Sequence, residues 1–117
     1  MLSEIQIKKA RKQLYENYDA GLPKTFSALG DPCRLYIFQL LLLQHEVCVT
    51  DVAKVCKKTV PAASQQLKIL EQSGLLIRQR RGQMVCYKLK RDSPTVKQLI
   101  QFIYSLHLII KSNKINK

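Results

Sequence analysis

The chain has 117 residues, Lys+Arg 20 against Asp+Glu 8, and a formal net charge of +12 at pH 7. Domains commonly run to about 100–200 residues, which excludes a two-domain enzyme, and 46% hydrophobic with 24% charged residues excludes a disordered chain. The positive excess points to a polyanionic partner, meaning nucleic acid or an anionic membrane surface.

The first predicted helix runs from Leu2 to about Asp19 and offers Leu2, Ile5, Leu14, Tyr15 and Tyr18 for apolar contact. Its scattered charges leave no apolar stretch suited to a signal peptide. Gly21 and Pro23 break it, and Phe26, Leu29 and Gly30 predict one short helical turn. Asp31 is placed to cap the next helix and Pro32 to open it, with an end near Gln44. Leu35, Tyr36, Ile37, Phe38 and the run Leu40 to Leu43 cover most of its circumference, which predicts a central position.

Thr50 is read as the cap of a short helix from Asp51 to about Cys56, where the Asp51 carboxylate suits the positive end of the dipole. Lys57-Lys58 makes a tight connection. Thr59 caps a second helix with Pro61 in its first turn, ending at Ser73-Gly74. Ala63, Leu67 and Leu70 form its apolar stripe, while Ser64, Gln65 and Lys68 fall on another face, which is the helix-turn-helix pattern.

Leu75 to Arg80 and Met84 to Leu89 predict two strands about a turn at Arg81-Gly82-Gln83. Ser93-Pro94 starts the last helix, whose stripe is Val96, Leu99, Ile100, Ile103, Leu106 and Ile110. Phe102, Tyr104, Leu108 and Ile109 add more apolar surface than one small domain covers, implying a partner chain, and Lys111 to Lys117 reads as a frayed end. Val96 to Ile110 is interrupted by Lys97, Gln98, Gln101, Ser105 and His107 and falls short of the ~18–20 apolar residues of a membrane span. The predicted fold class is mostly α with a small β-hairpin: a winged helix-turn-helix flanked by terminal helices. Residues 1–117 are read as one domain, with the helix-turn-helix at 50–73 and the wing at 75–90.

The runs ALGDPCRLYIFQLL, EVCVTDVAKV, TVPAASQQLKILEQSGLL and RRGQMVCYKL, in that order and spacing, resemble the ArsR/SmtB family of small metal- and thiol-responsive repressors. The resemblance covers about Phe26 to Leu89 and continues more weakly into both end helices. It implies a homodimer in which the helices at 1–20 and 93–111 pack across a two-fold axis and set the recognition helices about one DNA turn apart.

Charge supports double-stranded DNA as the partner independently. Between Lys54 and Arg91 ten basic residues face one acidic residue, Glu71, so most of the net charge sits on the helix-turn-helix and hairpin. Thr59, Ala62, Ser64, Gln65 and Lys68 are the candidates for the major groove, Gln65 because an amide matches adenine in bidentate fashion. Lys57 and Lys58 add positive charge at the turn, and N–H groups near Thr59 and Val60 suit a phosphate. Arg80, Arg81 and Gln83 resemble the family's DNA-contacting wing. A membrane role would need a basic amphipathic helix, whereas this charge is spread over a turn, a hairpin and a helix end.

The effector is less legible. Many family members carry Cys-x-Cys at the start of the motif; here Cys48 matches the first cysteine and Thr50 replaces the second. The family's other metal site uses carboxylates and histidines on the last helix, which offers only His107 and has no acidic residue after Asp92. Both usual sites look degraded, and no cofactor is assigned; His45, Cys48 and Cys33 keep a metal ion open as an effector. Thiol sensing is the other candidate. Cys33 sits near a helix N-terminus, where thiolates are favoured, and Cys48 resembles one of the family's sensing cysteines, although no cysteine follows Cys86. Cys56 and Cys86 read as core filling, and all four thiols are expected reduced in a cytoplasmic protein.

No Gly-rich phosphate loop, acid/base carboxylate pair or nucleophile–base arrangement is visible, so an enzyme is not expected. The reading is a cytoplasmic homodimeric repressor released from a palindromic operator by a thiol-reactive species or a metal ion. The alternatives are a winged-helix adaptor for protein contacts and a constitutive DNA-binding protein.

Overall fold

Among the described residues, six helices and three strands follow in the order α1 (Glu4–Glu16), α2 (Gly21–Leu29), α3 (Pro32–Leu43), β1 (Val47–Cys48), α4 (Val49–Cys56), α5 (Val60–Gln72), β2 (Leu76–Arg81), β3 (Met84–Leu89) and α6 (Pro94–Ile115). The computed structural model describes the backbone of residues 1–115 and the side chains of residues 1–107. The contacts expected of Leu108, Ile109 and Ile110 therefore lie outside the described residues. The architecture is a winged helix-turn-helix.

Local chemistry explains most boundaries. Ser3 and Gln6 form a reciprocal capping box at the start of α1. The Asp31 side chain accepts from Arg34 N at 3.1 Å, with Pro32 at the first helical position of α3. Thr59 caps α5 by accepting from Ala62 N at 3.2 Å. The Ser93 hydroxyl accepts from Val96 N at 3.4 Å as α6 begins.

The core lies where α3, α4, α5 and the inner face of the sheet meet. Ile37, Phe38 and Leu41 of α3 pack there with Val52, Leu67, Leu70, Leu75, Tyr87, Leu89 and Val96. The central position expected of α3 holds for one face only: Tyr36 and Leu43 on the others are exposed.

Several expectations need correction. The stretch read as one helical turn is a nine-residue helix, α2, because Pro23 falls in its first turn, where a missing N–H costs nothing. Cys48, not Thr50, precedes α4, so Thr50 lies inside the helix and caps nothing. The hairpin is joined by a third strand, β1, giving an antiparallel sheet of order β1-β3-β2. β1 pairs Val47 with Tyr87 and Cys48 with Cys86, and β2 pairs Leu76 with Leu89 through to Arg81 with Met84. The wing turns at Gly82, whose φ of 64° is easy for glycine and strained for other residues. Helix α6 continues past Lys111 to Ile115.

No residue of α1 is buried, and Ile5, Leu14 and Tyr15 stand 80%, 74% and 75% exposed. In α6, Val96 is buried and Leu99, Ile100 and Ile103 pack on the core, whereas Phe102, Tyr104 and Leu106 are exposed. Among the described residues no single helix is long and apolar enough to cross a membrane.

Candidate nucleic-acid interface

The recognition element is assembled by two backbone devices. Lys57 ends α4 in the left-handed region, φ 54°, and Lys58 N donates to Ala53 O at 2.9 Å, which turns the chain sharply toward Thr59. Helix α5 then buries Ala63, Leu67 and Leu70 and leaves Gln65, Lys68 and Gln72 on the opposite, exposed face, with Ala62 and Ser64 half-buried at its edge.

A cavity of about 370 Å³ separates α5 from the wing. Ser64 and Lys68 line it from α5, Cys48 and Thr50 from the start of the motif, and Arg78, Gln83 and Met84 from the hairpin. The structure thus gathers Ser64, Lys68 and Gln83 on one concave face, together with Arg78. Arg78 was counted only as part of the basic surface by sequence, because nothing local distinguishes it from its neighbours.

Other candidates are placed differently. Lys57 and Lys58 line a separate groove of about 620 Å³ with Cys33, Tyr36, Leu43, Val55 and Cys56. Arg80 is exposed and shares an open depression with Glu71 and Arg78. Arg81 is drawn away from the wing tip: its guanidinium donates to both Glu46 carboxylate oxygens, at 3.2 and 3.3 Å, and to Gln79 Oε1 at 2.9 Å. Of the two wing arginines, Arg80 is therefore the one without an acidic tether among the described contacts.

Behind the interface, Arg34 fixes α5 to the core. It donates to Ala28 O at 2.7 Å, Ser27 O at 3.3 Å and Gln66 Oε1 at 2.9 Å, joining the end of α2 to the recognition helix. Sequence reasoning assigned no role to Arg34 or Gln66. Their 32-residue separation hides the contact. Tyr87, in the adjoining sheet, has its hydroxyl pushed above the ordinary range by burial and then by the Glu71 carboxylate, against the opposing effect of Arg78.

The cysteines form two pairs that spacing did not reveal. Cys48 and Cys86, opposite each other on β1 and β3, are joined by a disulfide with Cα atoms 3.9 Å apart. Cys86, read as core filling, is buried as expected, and the structure pairs it with Cys48. Cys33 and Cys56 remain free, and their side chains contact each other. Burial, then the neighbouring Cys33, pushes the Cys56 thiol above its ordinary value, with Lys58 opposing. Cys33 and Cys48, named together as sensor candidates, belong to different pairs.

The matches to known proteins agree with this geometry. Residues 31–78 match the model of the bacterial regulatory protein, arsR family. Over 100 residues the chain is 33% identical to a cadmium resistance transcriptional regulatory protein CadC homolog of Staphylococcus aureus, spanning 86% of this chain and 81% of that one. The chain belongs to the arsR family.

Among solved structures, reduced HlyU from Vibrio cholerae superposes with a TM-score of 0.68 at 29% identity, covering 80% of this chain and 96% of that one. The homodimeric winged helix-turn-helix DNA-binding domain of a possible ArsR-family regulator from Mycobacterium bovis does so with 0.62 at 28% identity, covering 75% and 82%. As an arsR-family member the chain is a DNA-binding transcriptional regulator rather than an enzyme.

The chain's own donor set does not fit a thiolate metal centre at the start of α4. Cys48 is already bonded to Cys86, and Thr50 supplies a hydroxyl where a second thiolate would be needed. Among the described residues no three His, Cys, Asp or Glu side chains gather into a metal-binding group.

Proposed function

We propose that this chain, a single winged-helix domain acting in the cytoplasm, is a homodimeric repressor of a palindromic operator. Helix α5 enters the major groove, with Gln65 and Lys68 toward the bases and Thr59, Ala62 and Ser64 at its edge. Arg80 and Gln83 of the wing meet the flanking backbone or minor groove, and Lys57 and Lys58 add phosphate contacts from the turn. The observation that carries this reading is the convergence of Ser64, Lys68, Arg78 and Gln83 on one concave basic face.

The dimer reading is supported by the apolar surface that one copy leaves uncovered. Ile5, Leu14 and Tyr15 of α1 and Phe102 and Tyr104 of α6 are all more than half exposed. Two copies related by a two-fold axis would cover these faces and set the α5 helices in successive major grooves. An effector would release DNA by favouring a dimer geometry that misplaces the two helices. The effector class is a thiol-reactive species or a metal ion; the pairing of Cys48 with Cys86 and the contact of Cys33 with Cys56 support the thiol reading.

The test is selection of duplexes from a random pool by the purified chain, followed by titration of the recovered duplex across salt. Recovery of an inverted repeat whose log affinity falls linearly with log salt is expected. No recovered sequence, with a flat salt response, would favour the adaptor reading instead.

A further inference from the structure

We propose that the groove between α3 and the C-terminal end of α4 binds a medium-chain aliphatic carboxylate, which competes with DNA for Lys57 and Lys58; the competition rests on the DNA-binding reading above. This input is separate from the thiol or metal effector.

Three observations carry it. First, α3 is apolar on two faces. Ile37, Phe38 and Leu41 enter the core, while Tyr36, Leu40 and Leu43 repeat at i, i+4 and i+7 along the groove. Tyr36 and Leu43 stay 67% and 80% exposed, and Val55 of α4, in the same groove, 59%. Clustered apolar exposure of this kind marks a binding surface. The volume of about 620 Å³ falls within the range of about 300–1,000 Å³ usual for small-molecule sites.

Second, the groove differs from end to end. Cys33, in the first turn of α3, contacts Cys56, so the end of α4 and its two lysines lie beside the start of α3. Leu43 lies at the other end, about 15 Å from Cys33 along the helix at about 1.5 Å per residue. Third, the positive charge is uncompensated. Both lysines line the groove, none of its lining residues is acidic, and neither lysine is in an ion pair among the described residues.

The ligand class follows from this layout. A carboxylate at the lysine end accepts charge-assisted hydrogen bonds from the two ammonium groups. An extended aliphatic tail then runs past Tyr36 and Leu40 toward Leu43 and removes apolar surface from water. Helix α1 of a second copy does not suit the groove, because Lys8, Lys9, Arg11 and Lys12 would bring further positive charge to Lys57 and Lys58. DNA phosphates and the carboxylate draw on the same ammonium groups, so each weakens the other's binding.

The experiment uses the full chain with the Cys48–Cys86 bond closed, so that Cys33 and Cys56 are the free thiols and both report on the groove. Decanoate is the probe, with decanol as the neutral control and decyltrimethylammonium as the cationic one. Calorimetry is expected to show one decanoate per protomer, bound at least tenfold more tightly than either control. Decanoate should also slow alkylation of Cys33 and Cys56 by iodoacetamide. Tyr36→Ala with Leu43→Ala, both at exposed positions, should weaken decanoate about tenfold and leave affinity for the selected duplex unchanged. Lys57→Gln with Lys58→Gln should reduce decanoate binding to the level of decanol. For the unsubstituted chain, saturating decanoate should flatten the plot of log duplex affinity against log salt by about 0.9 for each lysine taken from phosphate.

Equal binding of decanoate and decanol, or unprotected thiols at saturation, overturns the site. Binding to phosphatidylglycerol vesicles with none to decanoate overturns it in favour of a membrane surface. Protection of the thiols with an unchanged salt plot overturns the competition and leaves the DNA-binding reading intact. If no duplex is bound specifically with or without decanoate, that reading fails, and calorimetry and alkylation still decide the site.

Discussion

The Arg34 guanidinium reaches across 32 residues of sequence to donate to Gln66 Oε1 at 2.9 Å, and its other nitrogens hold the Ala28 and Ser27 carbonyls at the end of α2. One side chain therefore sets where the recognition helix sits relative to the first half of the molecule. Without it, two helix-terminal carbonyls and an amide lose a charged donor in a partly buried setting. Arg34→Ala is expected to lower the unfolding free energy by about 2–4 kcal/mol in urea titration, since hydrogen bonds to charged groups are worth more than neutral ones. Arg34→Lys should recover little, because an ammonium does not reproduce the fork that serves three acceptors. A loss below about 0.5 kcal/mol, the scale of ordinary surface substitutions, would remove Arg34 from this role.

The wing arginines are expected to separate in mutagenesis. Arg80 is exposed, while Arg81 is held by Glu46 in a two-contact ion pair whose side chains are 60% and 24% exposed. Arg80→Ala should weaken DNA binding and flatten the plot of log affinity against log salt by about 0.9. Arg81→Ala should change the slope less. Glu46→Gln releases Arg81 and removes a negative charge near the duplex, so non-specific affinity should rise. Equal slopes for the two arginine variants would show that the Glu46 contact does not govern the wing.

Lys57 offers a separation of stability from binding. A non-glycine residue at φ 54° carries a cost of about 1–2 kcal/mol, offset in part by the freedom glycine adds to the unfolded chain. Lys57→Gly is therefore expected to raise the unfolding free energy by about 0.5–1 kcal/mol, while the lost charge lowers DNA affinity. Thermal melts and duplex titrations on the same sample check both halves. A lower melting temperature would contradict the account of this turn.

Stability should fall at alkaline pH for an identifiable reason. Cys56 and Tyr87 are both raised by burial first, from ordinary values of 9.0 and 10.0, so folding favours their protonated forms. Their contribution is fully present below those ordinary values and is lost as pH rises through the higher folded values. Melting temperature is expected to decline from about pH 9 upward, and Cys56→Ala and Tyr87→Phe should each make the decline shallower. An identical alkaline decline in both variants would assign it to other groups.

Features set by neighbouring residues were legible in the sequence. Asp31-Pro32, Thr59 and Ser93 announce helix starts through their own hydrogen bonds, and alternation in Met84 to Leu89 defines β3. Pro23 misled because proline in a first turn and proline as a breaker look alike without the following helix. Strand β1 is two residues long and exists only by pairing with β3, so no periodicity marks it. The candidate DNA face was legible as charge and helix face, whereas its long-range refinements were not: Glu46 holding Arg81, Gln66 holding Arg34 and Cys86 bonded to Cys48 are all separated by more than 30 residues.

The central claim is that two α5 helices read one DNA site from a two-fold dimer. Hydroxyl-radical footprinting on the selected duplex tests it most directly. The account predicts two protected patches related by symmetry on one face of the helix, with centres about 10 base pairs, or one further turn, apart. Substituting Gln65→Ala should weaken both patches together. A single asymmetric patch, or uniform protection that disappears with modest salt, would contradict it.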